Sequence, residues 1–387
     1  MPAISVRDIQ LKDDSTCLCS DLIAGTHGRG FWILDDVTPL RQEAQARAAQ
    51  TAYLYRPATA VRVRFATNDP TPWPPEVPAG QNPPPGGIID YYLANDATGP
   101  VTLDILDKAG TVIRSYSSAD TAPNPDPALD PKAYNTQVCQ RTPTTPACSV
   151  PLYWQAPPMV ISTKQGMHRF SWDLHYQPVE GLQGGGFGGG DGGGNPVPHR
   201  TYPSVNSPWA PPGSYTVRLT MNGKHYTQPL TLKLDPRVKT PAAGLAQLAS
   251  LSREMYTRAA AVHGAYEQAR SLSAVLDTAQ GAEAKPFKAR VDSLAPAPAR
   301  GGRAAFFRRR GPAGPPNLES AASALMGAAM SMQRADATPT AVEVAACTSA
   351  RKDAAAVMAK WDALRTRGLA AFNAKRKAAG EAAVEMP

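Results

Sequence analysis

The apolar residues of this chain change period near residue 240, and that change separates two kinds of structure. Downstream, Leu245, Leu248, Met255, Val262, Tyr266, Leu272 and Leu276 recur at threes and fours, the spacing of an amphipathic helix. Residues 317–332 repeat the pattern with Leu318, Leu325, Ala329 and Met332. Thr338 followed by Pro339 predicts an N-cap ahead of a proline in the first helical position. The helix so opened carries Val357, Trp361, Leu364 and Phe372 on one stripe. Helices of this length joined by short polar links predict an antiparallel helical bundle over 238–387.

Upstream, the alternation is by twos. The chain's 39 prolines and 31 glycines break it into short pieces, which suits strands and turns better than one large doubly wound sheet. Strands are expected at 88–94, 101–106, 111–116, 167–174, 213–221 and 226–234. Asn222-Gly223 is the strongest hairpin turn, and Asp107-Lys108-Ala109-Gly110 a second. This series predicts an Ig-like β-sandwich over 86–237 with long loop insertions. Residues 41–85 read as a proline-rich linker with one short strand within 53–65.

Residues 5–36 predict three more strands: Val6–Leu11, Asp21–Thr26 and Gly30–Asp36, with His27-Gly28-Arg29 as the turn between the last two. Three strands in thirty residues cannot bury both faces alone and need a sheet to join. The expected class is therefore multidomain, β plus α.

Charge and cysteine content narrow the function. The net charge of +8 comes from dispersed basic residues and bears on solubility more than on fold. No run of about 18 apolar residues is present, so no membrane span is expected. Residues 1–5 lack the basic and apolar regions of a signal peptide. Cys139 and Cys148 flank a Thr/Pro-rich loop and form a candidate disulfide. Cys17 and Cys19, two apart in a strand, face the same way at a spacing that rarely permits a mutual bond. Cys347 reads as a buried free thiol in a helix. No second Cys/His pair accompanies Cys17 and Cys19, so no metal and no other cofactor is expected.

Few motifs carry chemistry. His27, Arg29 and Trp32 mark a turn that could face a ligand; the plainer reading is that they stabilise the turn and bond backbone carbonyls. Asp35-Asp36 could pair as carboxylates, but neighbours in a strand face opposite ways, and glycoside hydrolysis needs two carboxyls held across a sugar bond. The glycine run 184–190 satisfies GxGxxG without the helix that a phosphate cradle requires, and reads as a flexible insertion. Arg300–Arg310 mixes Arg, Gly and Phe as some RNA-binding tails do; a solvated inter-helix loop is the plainer account. No catalytic residue is identified.

The segment Asp21-Leu22-Ile23-Ala24-Gly25-Thr26-His27-Gly28-Arg29-Gly30-Phe31-Trp32-Ile33-Leu34-Asp35-Asp36, with Val37-Thr38-Pro39-Leu40-Arg41 after it, resembles the closing blade and exit of bacterial BNR-repeat, sortilin-like β-propellers, a group often labelled glycosyl hydrolase. Trp172-Asp173-Leu174, 212–217 and Asp235-Pro236-Arg237 look like the Ig-like domain that follows in those proteins, and Ala335–Thr340 and 361–364 like their C-terminal helices. The resemblance implies that 1–40 is the last part of a truncated blade and that the chain is a fragment of an exported, periplasmic or extracellular protein. Its expected role is a non-catalytic accessory region. The expected partner is the remainder of the propeller, in the same protein or a separate chain, with a carbohydrate or protein ligand. The alternatives are a fragment of a glycoside hydrolase and a weak nucleic-acid or anionic-surface binder through Arg300–Arg310.

Overall fold

The computed structural model describes residues 3–15, 17–64, 86–120, 160–182, 196–197, 200–201, 207–297 and 315–386. The chain divides into two compact units, one made of Met1–Gln177, Gly190–Val205 and Trp209–Lys239, the other of Pro178–Gly189, Asn206–Pro208 and Thr240–Pro387. The fold is β plus α: three sheets and a two-residue ladder precede a helical C-terminal region.

In the first unit, β1 (Val6–Asp14), β2 (Cys19–Thr26) and β3 (Phe31–Leu34) form an antiparallel sheet in chain order. A short helix, α1 (Glu43–Ala48), follows. β4 (Ala52–Leu54), β6 (Gly87–Leu93) and β9 (Gly166–Trp172) make a second sheet. β5 (Ala60–Arg62), β13 (Lys224–Leu234), β12 (Gly213–Met221), β7 (Val101–Leu106) and β8 (Val112–Ser117) make a third, in that order. The ladder joins β10 (Pro196–Val197) to β11 (Arg200–Thr201). Where one short strand in a linker was expected, residues 52–62 split between two sheets, β4 pairing with β6 and β5 running parallel to β13.

Alternation explains the core. Tyr215, Val217, Leu219 and Met221 of β12 and Val101, Leu103 and Ile105 of β7 are buried, as every second residue of a half-covered strand should be. The second and third sheets meet through Trp172 against Tyr215 and Phe170 against Tyr116, both edge-on, a favoured geometry for aromatic pairs. Asn222 and Gly223 turn β12 into β13 with φ of 50° and 75°. Two successive positive φ values define the turn whose twist matches a hairpin, and Gly223 adopts its value without steric cost.

In the second unit, α2 (Ala242–Thr278) spans 37 residues and buries Met255, Ala259, Val262, Ala269 and Leu272. α4 (Leu318–Ser331) starts at Asn317, whose side chain accepts the Ser320 N–H. α5 (Ala341–Ala363) begins two residues later than Thr338-Pro339 suggests. The cap is Thr340: its hydroxyl accepts the Glu343 N–H while Glu343 accepts the Thr340 N–H, a reciprocal pairing that Thr338, with Ala341 three residues on, cannot offer. A π-turn at Leu364–Gly368 leads into α6 (Leu369–Ala378). Sequence periodicity missed α3 (Ala284–Leu294), three turns long with Pro286 in its first turn. Its Phe287 stacks on Phe372 at 4.5 Å.

Cys17 and Cys19 are bonded to each other, contrary to the expectation from strand geometry. They do not both lie in a strand. Cys17 and Leu18 belong to the β1–β2 turn, Leu18 takes φ 55°, and the Cα atoms come within 5.2 Å, inside the range a disulfide spans. Cys347 is buried in α5 as a free thiol, its pKa pushed up by burial. Cys139, Cys148, the glycine run and Arg300–Arg310 lie outside the described residues. Among the described residues no helix is long and apolar enough to cross a membrane.

Candidate functional site

Among the described residues, the first sheet carries a concentration of exposed large apolar side chains. Its register aligns Ile9 with Ala24 and Ala24 with Trp32, and Leu11 with Leu22 and Leu22 with Leu34. Directly opposed residues on neighbouring strands share a face, so these six side chains form two apolar rows on one side of the sheet. Ile9 is 57%, Leu11 51%, Trp32 39% and Leu34 48% exposed. By contrast, the facing residues of β6, β7 and β12 are almost wholly buried. On the opposite face Asp8, Gln10 and Lys12 of β1 lie beside Ile23 and Ile33, with the Phe31 ring over Gly25.

An apolar sheet face left in water is costly. Fully burying a side chain such as Leu or Ile is worth roughly 1.5–3 kcal/mol, so covering the exposed halves of four recovers on the order of 4 kcal/mol. Among the described residues β1 and β3, the edges of the sheet, pair with no further strand, and such edges template further pairing. One edge is partly blunted: the Ile9 N–H donates to its neighbour Asp8 Oδ1 at 2.9 Å.

The sheet is held at one end. Val37 N–H donates to Ser20 O at 2.8 Å and Asp36 N–H to Asp21 Oδ1 at 3.0 Å. The key anchor is Arg169 on β9. Its Nη1 donates to Asp35 O at 2.8 Å and its Nη2 to Asp36 O at 3.0 Å. The same guanidinium clasps Asp90 of β6 through Nε at 2.9 Å and Nη2 at 3.2 Å. Asp90 is 3% exposed; burial pushes its carboxyl up, and Arg169 works against that shift. Asp35 is raised by burial and by the neighbouring Asp21 charge.

The sequence-derived site residues fall around this face. His27 and Arg29 are exposed at the β2–β3 turn, which is closed by the Thr26 N–H and hydroxyl, both donating to Gly30 O at 3.1 and 2.7 Å. Gly28 and Gly30 take φ of 83° and 66°. His27 N–H donates to Ser5 O at 3.0 Å. Trp32 stands on the apolar face itself. Asp35 and Asp36 are not strand neighbours: β3 ends at Leu34, Asp36 takes φ 50°, and their carbonyls serve Arg169. Among the described residues no group of three or more His, Cys, Asp or Glu is placed to hold a metal ion.

Sequence reasoning pointed to the turn and passed over Ile9, Leu11, Leu22 and Leu34. Their alternation was visible, but alternation marks a face without saying what covers it. Compared with protein-family models, curated proteins and solved structures, the chain matches none.

Proposed function

We propose that this chain is a non-catalytic interaction region whose β1–β3 sheet docks face-on against the apolar face of another β-sheet. The observation that carries this reading is the double row Ile9–Ala24–Trp32 and Leu11–Leu22–Leu34, held in register and left open to solvent. Stacked sheets pack about 10 Å apart through interdigitated apolar side chains, and a sheet with one such row pair needs a second sheet rather than a small ligand. The resemblance to a closing propeller blade supports a neighbouring blade as the occupant. Under the same reading the second and third sheets form an Ig-like sandwich and the C-terminal helices an antiparallel bundle. The Cys17–Cys19 bond fits an exported protein, since disulfides persist in oxidising compartments.

In a solution of the purified chain, a second copy supplies a covering sheet. Sedimentation of the purified chain is expected to show self-association at roughly 0.1–1 mM, the range a few kcal/mol supports. The double variant Trp32→Thr, Leu34→Thr is expected to stay monomeric with an unchanged melting temperature, because both side chains are exposed and strand-compatible. Equal association of variant and parent would show that this face is not a docking surface.

A further inference from the structure

Resting on that docking reading, we propose that Cys17–Cys19 is a thiol-reducible clasp that sets whether the β1–β3 face is presented. The bond closes a ring with a single residue between the two cysteines. The clasp is accessible: Cys17 and Cys19 are half-buried and Leu18 between them is 69% exposed.

Leu18 is held at φ 55°, a region that non-glycine residues leave when free to do so. Opening the ring releases Leu18, and with it the two features the turn organises. One is the last rung of the hairpin, Asp14 opposite Cys19. The other is the bond from Thr59 N–H to Cys17 O at 2.9 Å, which ties the turn to the segment between β4 and β5. The rung next to the clasp pairs Asp13 with Ser20, and the two apolar rows follow it along the same hairpin. Fraying from the turn therefore reaches Leu11 and Leu22 first.

The chemistry is two-step exchange. A thiolate such as that of glutathione attacks one sulfur to give a mixed disulfide and a free cysteine. A second thiol then releases glutathione disulfide and leaves Cys17 and Cys19 both as thiols. The protein gains two electrons and two protons, which two glutathione molecules supply. The oxidised chain presents the face and the reduced chain does not.

The test treats the folded chain with reduced glutathione, alkylates it, and maps labelled cysteines by peptide mass while following hydrogen exchange. Labelling of Cys17 and Cys19 but not of buried Cys347 is expected. A roughly tenfold rise in exchange across Val6–Thr26 should accompany it, with β6, β7 and β12 unchanged. The C17S/C19S double variant is expected to exchange like the reduced chain and to ignore glutathione. Labelling that appears only in denaturant, or labelling with no change in exchange, would overturn the clasp. Self-association separates the two ideas. Association that is equal in both redox states sinks the clasp and leaves the docking reading standing. Absence of association in the oxidised chain sinks the docking reading, and exchange alone then decides whether the clasp opens.

Discussion

Replacing Arg169 with alanine is expected to destabilise the β-rich unit by about 3–5 kcal/mol, the usual cost of removing one partner from a buried ion pair. The magnitude follows from what is left behind. Asp90, 3% exposed, loses both donors of the guanidinium fork, and the carbonyls of Asp35 and Asp36 lose theirs. A drop in melting temperature on the order of 10 °C should result. The loss should be deepest at neutral pH and shrink on acidification, because an unpaired buried carboxyl recovers by protonating. Arg169→Lys keeps the charge but not the planar fork and should fall between alanine and the parent. Chemical denaturation at pH 7 and pH 5 checks all three statements. A loss below about 1 kcal/mol for the alanine variant would mean that the network holds nothing in place.

The second large effect is acid sensitivity through His175. The ring is buried, packs on Trp209 with centroids 3.9 Å apart, and donates from Nδ1 to Asp173 O at 2.7 Å. Burial, reinforced by Arg114 and Arg64, lowers its pKa from 6.5 to about 4, against the pull of Asp173. Between those values the unfolded chain takes up a proton that the folded chain refuses. Stability is therefore fully present above pH 6.5 and falls with pH by about 1.4 kcal/mol per unit until pH 4, for a total of about 3 kcal/mol. The raised carboxyls of Asp90 and Asp35 act in the opposite sense, so the comparison must isolate the histidine. His175→Gln should cost stability at pH 7 and abolish the histidine's share of the slope between pH 6.5 and 4. Parallel curves for parent and variant would contradict this assignment.

How much of this was legible in the sequence depended on the range over which each feature is encoded. β12, β13 and their turn were readable because alternation and the Asn222-Gly223 pair lie within one continuous stretch, Gly213–Leu234. α2 and α5 were readable from period, though α5's start was misplaced because Thr338-Pro339 and Thr340 each satisfy a capping pattern and only the Glu343 side chain selects between them. α3 carries only three buried positions, too few for a period to show. The Cys17–Cys19 bond was hidden because strand geometry forbids it and the left-handed Leu18 that permits it leaves no compositional trace. The anchor was out of reach altogether: Arg169 lies 79 residues from Asp90 and 133 from Asp36. The exposed apolar face of the first sheet was half visible, as an alternating pattern without a statement of what it meets.

A β1–β3 sheet built to be covered should be weakly protected when it stands alone. Hydrogen exchange of the purified, oxidised chain, resolved by peptide at a concentration where sedimentation shows only monomer, tests it most directly. The β1–β3 amides are expected to be slowed only about a hundredfold relative to an unfolded chain, while those of β6, β7 and β12 are slowed by several further orders of magnitude. Protection of β1–β3 equal to that of β6, β7 and β12 in a monomer would show that the sheet is complete by itself, and the docking reading would be wrong.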